Sequence, residues 1–376
     1  MNTRLWKNFD WLLLFLVVIT TCFGITAIAS ATQFRLDDPS TWGYVTRQAT
    51  WFGIGLCVLL FVVFIDYQVY QRWYRLLYLL NLGLLASVLI IGRSALGAQR
   101  WIDIGPLQFQ PSEVAKILVI LTLAHCLAKY DGKMDNTFGL VWAMLHILPP
   151  MLLIMLQPDL GTALVFVAIA LGMIYMAGYP GLKLAGLVGM GAAAAVLWIV
   201  AHLNWGVWIP LEDYQLQRLL VFIDPSQDPF GSGYHIIQSR IAIGSGQMWG
   251  QGLFQGTQNQ LNYLPEQQTD FIFAVVGEEL GFIGGASLIA LLCLLILRSL
   301  NLASRARDTY GALLIVGCVS MIGFQILVNM GMTMGIMPVT GIPLPFISYG
   351  GTSLLTNYVA VGLILNVYMR RQKIIF

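Results

Sequence analysis

The chain has 376 residues, 58% of them hydrophobic and 10% charged, with a net charge of +2 and a mean hydropathy of +0.75. A soluble domain carries about 25% charged residues, so an ordinary globular enzyme is excluded, and with no basic cluster there is no footprint for nucleic acid. The long apolar runs instead read as helices that cross a membrane many times.

The chain opens with Arg4 and Lys7, an apolar run from Trp11 to Ile28, and Ala29-Ser30-Ala31, the layout of a secretory signal. The run is longer than the roughly 7–15 residues of a signal's apolar core, so it is read as a first span. Ten spans are predicted, at 11–31, 48–66, 76–92, 112–129, 139–156, 160–178, 183–203, 270–298, 310–330 and 351–369, each near the ~20 residues a bilayer requires. An even number puts both termini on one side. That side holds 13 of the 20 lysines and arginines, Arg4, Lys7 and Lys373 among them; the other has six, Arg35 among them, and Lys116 falls inside a span. The side richer in lysine and arginine is cytoplasmic. The expected fold class is therefore all-α, a polytopic membrane protein forming one transmembrane domain over 1–376, with both termini cytoplasmic.

Five acids, including Asp10 and Asp135, fall on the cytoplasmic side and the other 13 of 18 outside, a bias that fits acidic solvated loops as well as a functional surface. The five cysteines lie in apolar runs without CxxC spacing, a pattern of buried thiols. Connections are mostly short, except 204–269 on the outer side. So long a loop is functional or disordered, and Trp205, Trp208, Phe222, Trp249, Phe254 and Tyr263 make it too aromatic for a disordered linker. It is expected to be a mobile element that shapes a substrate groove. Residues 233–243 read as a short interfacial helix and 244–250 as a glycine-rich turn.

Spans four, six, eight and ten all descend from the outer face, so their first turns share one surface. Three open with Gln110-Pro111-Ser112-Glu113, Gln157-Pro158-Asp159 and Thr269-Asp270-Phe271; the fourth follows a polar stretch containing Ser348. Proline and acids suit first helical turns, and that is reason enough for Glu113 or Asp159 taken alone. As a set, helix starts with free N–H groups favour anions such as phosphates, and ionisable residues at membrane depth mark functional sites. Lys116, three residues from Glu113, forms an ion pair, belongs to such a site, or both; Lys116→Ala is expected to weaken substrate use without unfolding the protein. Asp270 is either a helix-start acid kept ionised by the dipole, or a general base whose pKa is raised by Phe271, Ile272 and Phe273. Glu278 and Glu279 lie about 12 Å deeper and point elsewhere; they read as buried structural acids, one of them paired with an arginine or lysine. His125, His146, His202 and His235 have no metal-ligand spacing.

Six segments carry a resemblance: Gly97-Ala-Gln-Arg-Trp-Ile-Asp103, Phe109-Gln-Pro-Ser-Glu-Val-Ala-Lys116, Gln157-Pro-Asp-Leu-Gly-Thr162, Asp228-Pro-Phe-Gly-Ser-Gly-Tyr234, Leu264-Pro-Glu-Gln-Gln-Thr-Asp-Phe-Ile-Phe-Ala274 and Pro345-Phe-Ile-Ser-Tyr-Gly-Gly351. In that order, and over nearly the whole chain, they resemble the SEDS family of bacterial cell-wall proteins. Gly256-Thr-Gln-Asn-Gln-Leu261 and Gly335-Ile-Met-Pro-Val-Thr-Gly341 resemble its elongation branch rather than its division or sporulation branches. The resemblance implies a ten-span protein of the bacterial inner membrane that polymerises lipid II as a peptidoglycan glycosyltransferase. It implies as partners a class B penicillin-binding transpeptidase, whose single membrane helix lies beside spans eight and nine, and the elongation proteins MreB, MreC and MreD. It makes Asp270 the catalytic aspartate and matches Glu113, Lys116 and Asp159 to polar positions of the family's motifs; with Arg100, Gln110 and Ser348 they form the candidate substrate-binding set. Many members carry histidine before Thr-Asp-Phe; here Gln268 stands there, which leaves Asp270 as the base. The attack would invert the donor anomeric carbon. Lys116, Arg100, helix N-termini or a divalent cation (magnesium or manganese) held by the acids are the alternatives for meeting the charge of the leaving diphosphate.

Two other functions remain on the sequence alone. A lipid II flippase would place its site near the bilayer midplane on interrupted helices, often with internal repeats, whereas these motifs cluster at one face and no repeat is evident. A non-catalytic scaffold for a transpeptidase is the second.

Overall fold

Each of the ten apolar runs is a helix in the computed structural model, which describes residues 7–33, 42–95, 98–104, 107–134, 137–228, 231–261 and 263–371. Arg4, Arg35, Gly97, Asp135, Pro229, Phe230 and Lys373, all used above, lie outside the described residues. The spans are α1 (Trp11–Ala31), α2 (Gly43–Phe64), α4 (Tyr74–Ile91), α5 (Pro111–Ala128), α6 (Thr137–Met155), α7 (Leu160–Met176), α8 (Gly181–Trp205), α12 (Ile272–Ala303), α13 (Thr309–Thr333) and α14 (Gly351–Met369). Nine are long and apolar enough to cross a membrane, and α7 is the shorter tenth. The chain is a multi-pass membrane protein. The start of α1 is tied to the residues after α14 and to α12: the Arg371 side chain donates to the carbonyl of Asn8 at 3.1 Å, and Arg298 of α12 pairs with Asp10, the N-cap of α1, at 2.5 Å.

α5, α13 and α14 form the centre, each with about three-quarters of its residues buried. Glycine allows the close approach there: a Cβ on Gly317 of α13 would lie 2.8 Å from Ile120 of α5 and 2.9 Å from Met173 of α7. Small residues at such crossings let helix backbones pack where lipid gives no hydrophobic drive. At the other extreme, α8 buries only Leu184. An apolar cleft of about 520 Å³ separates it from α7, at the end of α7 away from Asp159 and so remote from the polar helix starts.

Between these spans lie the short α3 (Tyr67–Arg72) and a three-stranded antiparallel sheet, β1 (Arg93–Ala95), β2 (Ala98–Ile104) and β3 (Leu107–Phe109). The sheet is an addition to the all-helical expectation; Arg93 pairs with Trp101 and Ile102 with Phe109. The long loop is folded. It forms α9 (Asp213–Ile223), α10 (Ser232–Ser245) and α11 (Thr257–Gln260). Its apolar residues, Val221, Ile236, Ala242 and Leu264, make a second small core with Phe271, Ala274, Met332 and Val339. The helix expected at 233–243 is α10, and it lies against the bundle: Ser239 donates to the Thr333 carbonyl of α13 at 2.7 Å.

Candidate active site

The start of α7 is built around Asp159. One carboxylate oxygen accepts from the Thr162 N–H at 3.1 Å and the other from the Thr162 hydroxyl at 2.8 Å, the usual duty of an N-cap. Asp159 also faces the Arg100 guanidinium at 3.9 Å. Arg100 comes from β2, so the unexpected sheet is what delivers it. From there it donates to the carbonyls of Gln157 and Pro158 and, at 2.9 Å, to the Tyr214 hydroxyl. Tyr214 and Gln215, on α9, donate to the same Pro158 carbonyl at 2.6 and 3.0 Å. α9 begins with a capping box between Glu212 and Gln215, which fixes where its first turn sits on α7. One turn further along α9, Arg218 lies over the Tyr214 ring, 5.6 Å from its centroid.

Asp270 occupies the turn just before α12 and retains some exposure. Its backbone is held from three sides. Asn329 of α13 donates one amide hydrogen to the Asp270 carbonyl at 3.0 Å and the other to the Ile342 carbonyl at 2.8 Å. Ser348 donates to the Thr269 carbonyl at 2.6 Å and accepts from the Leu344 N–H at 2.8 Å. The Tyr349 N–H donates to the Gln268 carbonyl at 2.9 Å. Gly341 then closes the floor. A Cβ there would lie 3.4 Å from the Asp270 carboxylate and 4.0 Å from the Arg218 guanidinium, so acid and cation face each other across bare glycine backbone.

The Asp270 pKa is pushed up to about 6. Loss of solvation by packing is the largest cause and the exposed Glu266 carboxylate the second; Arg218 and Arg100 pull it down. Packing and the Glu266 charge together outweigh the two cations. Arg100, ion-paired with Asp159 and within electrostatic reach of Asp270, links the two helix starts.

Arg100 thus pairs with Asp159 and lies within electrostatic reach of Asp270. Gln110 stands at the N-cap position of α5 and makes no capping bond with its side chain. Ser348 is committed to backbone groups. Lys116 and Glu113 form an ion pair of 2.7 Å with exposures of 1% and 3%. No hydrogen bond or ion pair among the described residues joins them to Arg100, Asp159 or Asp270. Glu278 and Glu279 are buried as expected, but their partners are hydroxyls, an amide and backbone N–H groups. This corrects the expected arginine or lysine partner: several neutral donors around a carboxylate do the work of one cation.

Arg218, Tyr214, Gln215, Glu266, Asn329 and Gly341 were not singled out from the sequence. The one signal for the α9 group was the Glu212-to-Gln215 spacing of a capping box. Among the described residues no group of three or more histidines, cysteines or acids could hold a metal ion.

The model of the FTSW_RODA_SPOVE family, described as cell cycle proteins, matches residues 10–373. The peptidoglycan glycosyltransferase MrdB of Escherichia coli K12 is 40% identical over 334 residues, covering 88% of this chain and 87% of that protein. Among solved structures, a chain from work on the coordination of polymerization and crosslinking by a peptidoglycan synthase complex superposes with a TM-score of 0.79 at 32% identity, covering 96% of this chain and 98% of that one. An aspartate-to-alanine mutant of the rod shape determining protein RodA of Thermus thermophilus gives 0.71 at 32% identity, covering 97% and 99%.

Proposed function

The chain belongs to the FTSW_RODA_SPOVE family, and from that premise we propose that it is a peptidoglycan glycosyltransferase of the bacterial inner membrane, polymerising lipid II during cell elongation. The observation that carries the reading is Asp270: a carboxylate with its pKa lifted to about 6, on a braced helix start, with two arginines within electrostatic reach. At neutral pH it is mostly ionised, yet basic enough to take the proton of a sugar hydroxyl as that oxygen attacks the donor anomeric carbon. The attack inverts that carbon. Arg218 and Arg100 would supply the cations that meet the charge growing on the departing diphosphate. Both substrates carry lipid tails, which favours a site at the membrane edge. Asp159 and Tyr214 hold Arg100, and Ser348 and Asn329 hold Asp270; these four act by positioning.

Purified protein with its transpeptidase partner, given labelled lipid II in detergent, should make glycan polymer. Absence of polymer under conditions where the complex is intact would leave the flippase or the scaffold. The polar helix starts are gathered at one end, which disfavours a midplane transport site. α12 is interrupted at Gly281, as transporter helices often are, but loop backbone fills the break. The partner is proposed to be a class B transpeptidase whose membrane helix lies on α12 and α13. Their outward residues Phe282, Leu294, Leu297 and Leu327 supply an apolar face for it, and cysteine crosslinks confined to α1 or α2 would refute that placement. MreB, MreC and MreD complete the proposed assembly.

Two results are expected here. With a base of pKa about 6, kcat/KM for lipid II should be level above pH 7 and fall about tenfold per unit below 6. A profile flat from pH 5 to 7 would remove Asp270 as the base. Gly341→Ala places a Cβ against the Asp270 carboxylate at a φ of 72°. It should cost about 1–2 kcal/mol of stability and lower turnover; wild-type turnover would show that the Asp270–Arg218 geometry is not needed.

A further inference from the structure

Gly281, inside α12, has φ 63° and ψ −162°, a region essentially reserved for glycine. The helical ladder is lost across it, and the freed groups are taken by the incoming loop. The N–H groups of Gln251 and Gly252 donate to the carbonyls of Glu278 and Glu279, both at 3.0 Å. The N–H groups of Phe282 and Ile283 donate to the carbonyls of Gln247 and Met248 at 2.8 and 3.2 Å. The fit is at backbone contact. A Cβ on Gly281 would lie 2.8 Å from Met248 and overlap the Gly250 nitrogen; one on Gly250 would overlap the Glu279 carbonyl, and one on Gly246 the Gly277 carbonyl.

Side chains fasten the same joint. Glu279 accepts from the Ser30 hydroxyl of α1, from the Asn259 amide at 3.1 Å and from the Phe254 N–H at 3.2 Å. Glu278 accepts from the N–H groups of Gln258 and Asn259 at 2.7 and 3.3 Å. The first half of α12, from Ile272 to Leu280, is therefore held at its inner end by the loop and α1, and at its outer end by Asn329 and Ser348.

We propose that the loop 246–261, by completing the broken helix α12 at Gly281, sets the position of Asp270, with Glu279 as the positioning residue that ties loop, α1 and the catalytic half-helix together. This rests on Asp270 being the base. Two variants test it in the purified complex with lipid II. Phe282→Pro removes the N–H that donates to Gln247. The Phe282 side chain is 65% exposed, and proline suits the first position of a helical segment. Glu279→Gln keeps the side-chain shape and removes the charge. Each should lower kcat about tenfold or more with KM within about twofold, and speed amide exchange over 270–276. Wild-type kcat in both, or lower kcat with unchanged exchange over 270–276, overturns the proposal. Should Glu279→Gln fail to fold, Phe282→Pro decides alone. Should the wild type make no polymer, the proposed activity fails, and faster exchange over 270–276 in Phe282→Pro alone decides the clamp.

Discussion

Glycan polymerisation by the purified complex is expected to fall by about 10²–10⁴-fold in Asp270→Asn, the usual contribution of a general base. Asparagine keeps the shape of the side chain but cannot take a proton at neutral pH. The brace around it is untouched, because Asn329 and Ser348 hold the carbonyls of Asp270 and Thr269 and not the carboxylate. Stability gives the control. A carboxyl whose pKa rises on folding to about 6 costs the folded state free energy above that pH, a cost shed as the pH falls through 6 towards the ordinary carboxylate value. Asparagine carries no such cost, so at neutral pH the melting temperature should hold or rise while activity is lost. Turnover within a few-fold of wild type would make Asp270 a helix-start acid and no more.

The spans were legible because a bilayer needs a fixed length of apolar chain, and their predicted bounds hold to within about five residues. α2 starts earlier than expected, at Gly43, and α12 runs on to Ala303, since polar ends of a helix give no hydropathy signal. The sheet was not legible: two of its strands have three residues each, too short for alternation to show. Nor was the break in α12, because a glycine in a helical pattern is ordinarily tolerated. The Gly281 break becomes visible only with the loop that fills it, some thirty residues earlier in the chain. At the site, Asp159, Asp270 and Arg100 stood out as charges in motifs, whereas Arg218 counted only as an outer-side cation. What distinguishes it is α9 laid across the start of α7, a tertiary fact. Glu278 and Glu279 show the opposite limit: burial could be inferred, but not that neutral donors from three segments would surround them.

Lys116 requires a different experiment from the one its sequence suggests. Both members of the Glu113–Lys116 pair are almost wholly buried, at 3% and 1% exposure, so Lys116→Ala strands a carboxylate inside the bundle. Removing one partner of a buried pair costs about 3–5 kcal/mol, and the single variant should melt well below wild type in detergent, contrary to the expectation of an intact fold. Replacing both, as Glu113→Gln with Lys116→Met, removes the charges together and is expected to be near neutral for stability. That double variant isolates the second role. The Lys116 ammonium donates to one oxygen of Glu113, while the other oxygen of Glu113 and the Ser112 hydroxyl have no partner among the described residues. We propose that these two buried groups, at the start of α5 beside Gln110, serve a substrate group. The folded double variant should lose polymerisation about tenfold or more, chiefly through a higher KM for lipid II, as loss of uniform binding does. Normal turnover across a full lipid II titration would make the pair a buried tie within α5 and take Glu113 and Lys116 out of the substrate-binding set.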